Sequence, residues 1–462
     1  MKVATQNSRP SVPKRRHLPF RSTPIAAALL LAIALGFGLG ALLVWRIAFD
    51  RALPIALGKL IQVHGHVQLF AWTGLFIVAV SLYKIPRLTS TKPVTPLEYY
   101  LLLGSLLGGI LFRVNGQLWI SGSSELVALR FLVSLGCLLE GIGILLFLAI
   151  VLRRIIRYRP QPAAIAAAAL KPFLLLSILG WLLYAGVTIV LGIRFLQGHG
   201  VMVDLFWNDL GTRIYIHLVL LPTCFAFSLA TFPIFLRLAP PIWRIPRLVI
   251  VYGTATILYV ISAEAGTAGS DTLRYWMHAL GTTVRLIAIV GVILGLDLLR
   301  LRPPWFERFR GRTERENRPP RRFAADYGQF GNFEWLIYAA YAWLFLAAGA
   351  DVLLLALPSA YPFSVVRHLY LLGFVTHLIL GMAVRIIPGF LGRNRIAYQS
   401  LVRASFALIL FATFARTLPL VSGLHGIVPL RSAYGLSGIA AVLAIACLAI
   451  NLATTIAQDR RA

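Results

Sequence analysis

Residues 66–86 read HVQLFAWTGLFIVAVSLYKIP, and residues 368–388 read HLYLLGFVTHLILGMAVRIIP. Each opens on a histidine, carries an aromatic ring six residues on (Trp72, Phe374), and closes on Ile85–Pro86 or Ile387–Pro388. Nearly everything between is apolar, and about twenty apolar residues cross a bilayer core. Working outward from these two runs, we find twelve of that length, at 24–45, 60–83, 97–117, 125–152, 172–196, 214–236, 247–265, 275–299, 333–357, 365–387, 401–421 and 434–457. The expected fold is therefore all-α, a polytopic bundle of about twelve transmembrane helices. Helix 2 is the best marked, with Pro86 expected to stop it. Helix 3 is the least marked, because Arg113, Asn115 and Gln117 fall near its end.

Composition agrees. Apolar residues make up 59% of the 462 and charged residues 13%, which is membrane-protein usage. The net charge of +28 could suggest nucleic acid, but its distribution argues for a bilayer. With the N-terminus cytoplasmic, the two tails and the loops after even-numbered helices hold 32 of the 44 Lys and Arg residues. That is the positive-inside pattern, and it puts both termini in the cytoplasm. Nucleic acid is not an expected partner; the lipid bilayer is, and the basic loops suit anionic lipid.

The expected organisation is a basic cytoplasmic tail over 1–23, one membrane domain over 24–457, and a cytoplasmic tail over 458–462. The membrane domain includes a basic cytoplasmic loop at 300–332, whose prolines and charges suit a solvated linker. The first apolar run lacks a small-residue cleavage site and reads as a retained helix. Cys137, Cys224 and Cys447 stand singly, with no CxxC, no haem-attachment CxxCH and no disulfide framework.

In that orientation eight of the nine histidines fall in the outer half, leaving only His17 on the cytoplasmic side. His64 and His66 open helix 2, His217 helix 6, His278 helix 8 and His368 helix 10. His199 and His425 fall in outer loops. Imidazole is costly in lipid and is a strong metal ligand, so this clustering points to a site. The plainer reading is interfacial anchoring or hydrogen bonding, and for His199 and His425 it is preferred. His64 and His66 differ by 200° around a helix, so one of them would face a given site. His368 and His377 differ by half a turn and by about 13.5 Å on a straight helix, too far to share one metal. His377 could instead be a polar contact between helices.

Trp72, Phe70, Phe374 and Tyr370 could line a flat ligand, although aromatic rings at helical spacing are more often packing. Gly65, Gly74, Gly373 and Gly381 permit close approach of a ligand or of a neighbouring helix. Arg213, Arg274 and Arg367 stand at the outer ends of histidine-bearing helices. Their fork geometry suits carboxylates such as haem propionates, and equally simple anchoring. Glu140, Asp297 and Asp351 are the intramembrane carboxyls, suited to a proton path or to structural ion pairs.

The runs HGHVQLFAWTGLF (64–76) and RHLYLLGFVTHLILGMAVRIIPGFLGR (367–393) resemble the NnrS family. These are twelve-helix haem- and copper-containing membrane proteins of the nitric oxide response in denitrifying and related bacteria. Gly381, Met382, Arg385, Gly392 and Arg393 carry much of the likeness, and helix 6 around His217 matches more loosely. Many members have a histidine just before the final Gly-Arg pair, where this chain has Phe390–Leu391.

The plan is also similar to haem–copper oxidases and nitric oxide reductases. That resemblance implies a low-spin haem, b-type, gripped by His66 and His368, with His64 as the substitute for His66. It implies His217 and His278 as ligands to copper or a second haem, and His377 as a weaker one. The departures are a helix 7 without a His-His pair, a helix 6 without His-Pro-Glu-Val-Tyr, and helix-10 histidines nine apart. An ordinary oxygen-reducing centre is therefore not expected.

These resemblances imply a multi-pass protein of the bacterial inner membrane that meets nitric oxide or another small gas, with a respiratory electron donor as a further partner. Oxidoreductase activity stays open. A proton- or substrate-coupled secondary transporter is the alternative from another class, favoured by broken helices and midplane charges. A membrane scaffold or assembly factor for a respiratory complex is a third.

Overall fold

A computed structural model describes residues 20–52, 57–120, 126–157, 165–198, 200–236, 238, 245–264, 271–298, 326, 328–421, 424 and 427–459. His17, His199 and His425 lie outside the described residues, as do most of the expected basic tails and of the loop 300–332.

Among the described residues, twelve helices are long and apolar enough to span a membrane. They are α1 (Thr23–Ala48), α2 (Leu57–Leu88), α3 (Pro96–Trp119), α4 (Val127–Ile156), α5 (Leu170–Gln197) and α6 (Leu205–Phe235), followed by α7 (Ile245–Ser262), α8 (Thr272–Gly295), α9 (Phe333–Ala356), α10 (Phe363–Phe390), α11 (Gln399–Leu420) and α12 (Val428–Gln458). No strand occurs among the described residues. Neighbours in sequence are neighbours in space at α3–α4, α4–α5, α7–α8, α8–α9 and α11–α12, and α12 closes back on α1.

That ring encloses three helices. In their most apolar stretch, 78% of α2, 72% of α6 and 83% of α10 is buried, against 39–56% for the other nine. The interior helices therefore recur every fourth span. This accounts for an offset of eight helices between the two matching runs, which a six-plus-six duplication does not. The helices carrying most of the histidines are the ones lipid reaches least.

Four π-helical segments interrupt the spans: Ala32–Phe37 in α1, Val67–Gly74 in α2, Tyr215–Leu220 in α6 and Leu369–Thr376 in α10. In both α2 and α10 the segment is eight residues long and begins directly after the histidine, at His66 and His368. The sequence repeat is thus also a repeat of backbone geometry. Such wide turns are rare and concentrate at functional sites. The half-turn opposition of His368 and His377 assumed a straight α-helix and does not carry over through the π segment.

The helix limits correct two expectations. α2 runs through Pro86 to Leu88 and α10 through Pro388 to Phe390. A proline in the last turn removes one backbone donor where few bonds remain, so it does not stop the helix. α6 begins well before residue 214, where Asp204 caps it by accepting from the Trp207 amide at 3.2 Å. Its first turns carry Asn208, Asp209 and Arg213, which hide the helix from a hydropathy reading. His217 thus lies within α6 rather than opening it, and His66 likewise lies within α2.

Two fittings fix the histidine-bearing end. Lys59 donates to the carbonyls of Leu118 (3.0 Å) and Ile120 (2.8 Å), capping the end of α3. Gln62 exchanges two bonds with the backbone of Val203, donating at 2.9 Å and accepting at 3.0 Å. Closure of the ring depends on Gly438, where an added Cβ would lie 2.3 Å from the Ala41 Cα. Gly438→Leu is expected to cost about 1–3 kcal/mol by overpacking, read as a lowered thermal midpoint in detergent. Gly104→Leu, with open space around it, is the matched control.

Candidate functional site

A cavity of about 620 Å³ opens between α1, α2, α3, α5, α6, α10, α11 and α12, within the range of cofactor pockets. His64, His66 and His368 all line it. The His64 Nδ1 lies 2.9 Å from the carbonyl of Gly36, which the π segment of α1 presents. A carbonyl only accepts, so Nδ1 of the neutral ring carries the proton and Nε2 keeps its lone pair. Behind this ring is Gly40, where a Cβ would stand 2.6 Å from the His64 Cε1.

His368 is held the same way. Its Nδ1 lies 2.6 Å from the carbonyl of Ser364, one turn back. Arg416 of α11 donates its Nε to the His368 Nε2 at 3.2 Å, and an Arg donor requires a lone pair there. Both imidazoles are thus oriented by a backbone carbonyl at Nδ1. That is the supporting arrangement of a histidine whose other nitrogen binds a metal.

His66 is placed differently. Its Nε2 is 2.8 Å from Glu140 Oε1, and the other carboxylate oxygen takes the Arg113 Nη1 at 3.1 Å. Glu140 is 0% exposed, so this is a buried ion-pair network across α2, α3 and α4. A lone charge there would be very costly, and two partners offset that cost. Arg113 and Gln117, which made α3 hard to read, are buried side chains of a regular helix.

The other histidines fall into separate surroundings. His217 is buried on α6, its Nδ1 without a hydrogen-bond partner, and meets the edges of Tyr259 and Tyr370 at 5.1 Å each. His278 packs on Tyr259 too, ring centroids 5.1 Å apart, with its Nδ1 3.3 Å from the Ser262 hydroxyl. Tyr259 thus touches both His217 and His278. Beside them Asp351 takes bonds from Arg285 (2.6 Å) and the Tyr370 hydroxyl (3.1 Å). His377 lies outside the large cavity, near Trp343, its Nδ1 3.0 Å from the Leu372 carbonyl. Among the described residues, no three His, Cys, Asp or Glu side chains converge as a metal-binding group.

Of the arginines singled out in the sequence, Arg367 lines the cavity and pairs with Asp209. Arg213 binds the same carboxylate through Nε at 2.7 Å but faces a separate small cavity beside His217. Arg274 is exposed and lines neither. Sequence reasoning did not single out Arg416. The usable signal was an arginine inside a span, which marks a function by default. Among the glycines, Gly65 lines the cavity with nothing within 4 Å of an added Cβ, while Gly74, Gly373 and Gly381 serve helix packing.

Three side chains that line the cavity carry buried polar atoms with no hydrogen bond: Trp72 Nε1, Arg113 Nε and Arg416 Nη1. Buried donors of this kind are rare and normally have a partner. Three imidazoles, those of His64, His66 and His368, line this one cavity.

No protein-family model matches the chain, and no curated protein sequence matches it. Solved structures do match. One is a haem–copper terminal oxidase, determined as a dimer by cryo-electron microscopy, with a TM-score of 0.66 at 12% identity. The alignment covers 94% of this chain and 84% of the oxidase chain. At that identity the likeness is one of fold, and it extends over nearly the whole bundle.

Proposed function

We propose that this chain is a haem-binding protein of the bacterial inner membrane, both termini cytoplasmic, acting in the response to nitric oxide or another small gas. The observation that carries the reading is one cavity of about 620 Å³ lined by two imidazoles, His64 and His368, each anchored through Nδ1 on a backbone carbonyl. The fold shared with a haem–copper oxidase supports a haem-related role. The nitric oxide part rests on the likeness of residues 64–76 and 367–393 to the NnrS family.

A b-type haem fits the residues present. His64 and His368 would hold it: His64 has only its Nδ1 tied to a carbonyl, and the Nε2 of His368 would exchange its bond from Arg416 for the iron. The Nε2 of His66, by contrast, sits on the buried Glu140–Arg113 pair. Arg416 and Arg367 offer cationic partners to propionates. Bound there, haem would supply one-electron exchange and affinity for a small gas. The chain's own part is to orient the two rings, exclude water and neutralise the carboxylates. Copper does not fit comparably, since among the described residues no third donor joins His217 and His278.

The test is an optical spectrum of protein purified in mild detergent from haem-sufficient cells. A Soret band with sharp reduced α and β bands, perturbed by nitric oxide, is the expected result. Intact, correctly inserted protein without a Soret band would reject this reading in favour of a transporter or a scaffold.

A further inference from the structure

At the end of the bundle opposite the histidines, α1 begins, α2 ends and α3 begins around a second cavity of about 110 Å³. That space is several times what one water requires. We infer that this pocket binds a phosphate group, that of an anionic phospholipid, at the membrane surface.

Three features of the pocket support this. Arg21 lines it, stacks on the Tyr99 ring at 4.3 Å, and has its Nη1 buried without a hydrogen-bond partner. Arg87 lines it too, its guanidinium 3.4 Å from the centre of the Tyr83 ring. Aromatic faces hold both planar guanidiniums in place. Arg87 also donates its Nη1 to the Tyr83 carbonyl at 3.0 Å, so Arg21 is the fork offered to phosphate oxygens and Arg87 adds charge beside it. No carboxylate lines the pocket.

The surroundings are strongly basic. Lys84, Lys92, Arg153 and Arg154 stand on the same end of the bundle, and the nearby acid, Glu98, is already taken. It accepts from Arg153 and Arg154 at 3.1 Å each. The first turn of α1 adds a helix N-terminus with no acidic residue and no side-chain cap from Ser22. The helix dipole favours an anion, although Pro24 in that turn contributes no amide.

A lipid suits the place better than a free ion. The pocket lies where three spans reach the surface, and its remaining wall, with Pro24, Ala79 and Leu82, is apolar and follows α1 and α2 into the bilayer. A headgroup phosphate there would leave its acyl chains against that wall. Juxtamembrane cations attract anionic lipid in just this way.

The experiment uses full-length protein, delipidated in mild detergent and examined by native mass spectrometry. Dioctanoyl phosphatidylglycerol, dioctanoyl phosphatidylcholine and inorganic phosphate are titrated separately. The expected result is one phosphatidylglycerol adduct, weakened about fivefold in Arg21→Gln and further in Arg21→Gln/Arg87→Gln, but not in Lys171→Gln. Lys171 is exposed and lies outside the pocket. Competition by inorganic phosphate would place the headgroup phosphate in the site. A phosphate adduct sensitive to Arg21→Gln, without a lipid adduct, would uphold the phosphate site and replace the lipid by the free ion. Equal retention by wild type and both arginine variants, with unchanged elution and melting, would overturn the proposal.

Discussion

Alanine at His64 or His368 is expected to abolish the haem spectrum, whereas alanine at His66 is expected to leave it. Each of the first two rings is fixed through Nδ1 on a carbonyl, Gly36 or Ser364, and each lines the same cavity. Losing an axial ligand should cost more than losing a supporting hydrogen bond, which alone is worth about 10–100-fold in affinity. Haem content per protein, by pyridine haemochrome, should therefore fall by more than about tenfold in His64→Ala and His368→Ala. His66→Ala keeps both proposed ligands and should keep the haem. Loss in His66→Ala with retention in His64→Ala would exchange the roles of the two helix-2 histidines. Retention in all three would end the assignment.

The second large effect is expected at Glu140. Its carboxylate is enclosed between His66 and Arg113, so Glu140→Leu leaves a buried guanidinium without its counter-charge. Breaking such a pair from one side costs about 3–5 kcal/mol, much of it the penalty of the stranded partner. Replacing both, as Arg113→Leu/Glu140→Leu, removes two charges together and should recover a large part of the loss. Equilibrium denaturation in mixed micelles measures both. A double variant no more stable than Glu140→Leu alone would mean that the ion pair is not what holds α3, α4 and α2 together here. This measurement needs no cofactor, so it is independent of the haem assignment.

Much of the bundle was legible in the sequence because a bilayer imposes length and polarity so strictly. Runs of twenty apolar residues gave twelve spans, and the structure has twelve long apolar helices. The ends were harder. Leu205–Ile214 was missed because Asn208, Asp209 and Arg213 lower its hydropathy, although they sit on a capped helical turn. Pro86 and Pro388 were given too much weight, since a proline near a helix end removes only one bond.

At the site, the sequence pointed to His64, His66 and His368 without their surroundings. Which of them meets a carbonyl and which a carboxylate depends on Gly36, Glu140 and Arg113, contributed by three other helices. Arg416 is 48 residues from its partner His368, and no local pattern joins them. The two matching runs were visible as letters, but the widened turns behind them were not, because no residue type is specific to that geometry.

Those widened turns bear on how the chain should be compared with others. Each fits an additional residue into a helix that would otherwise advance by 100° per position. Alignment with a protein whose corresponding helices lack them therefore needs a single-position gap within 67–74 and another within 369–376. Without those gaps every residue on one side of the segment is paired with the neighbour of its true counterpart. Shared histidines would then go uncounted, and in the most enclosed spans this would lower measured identity.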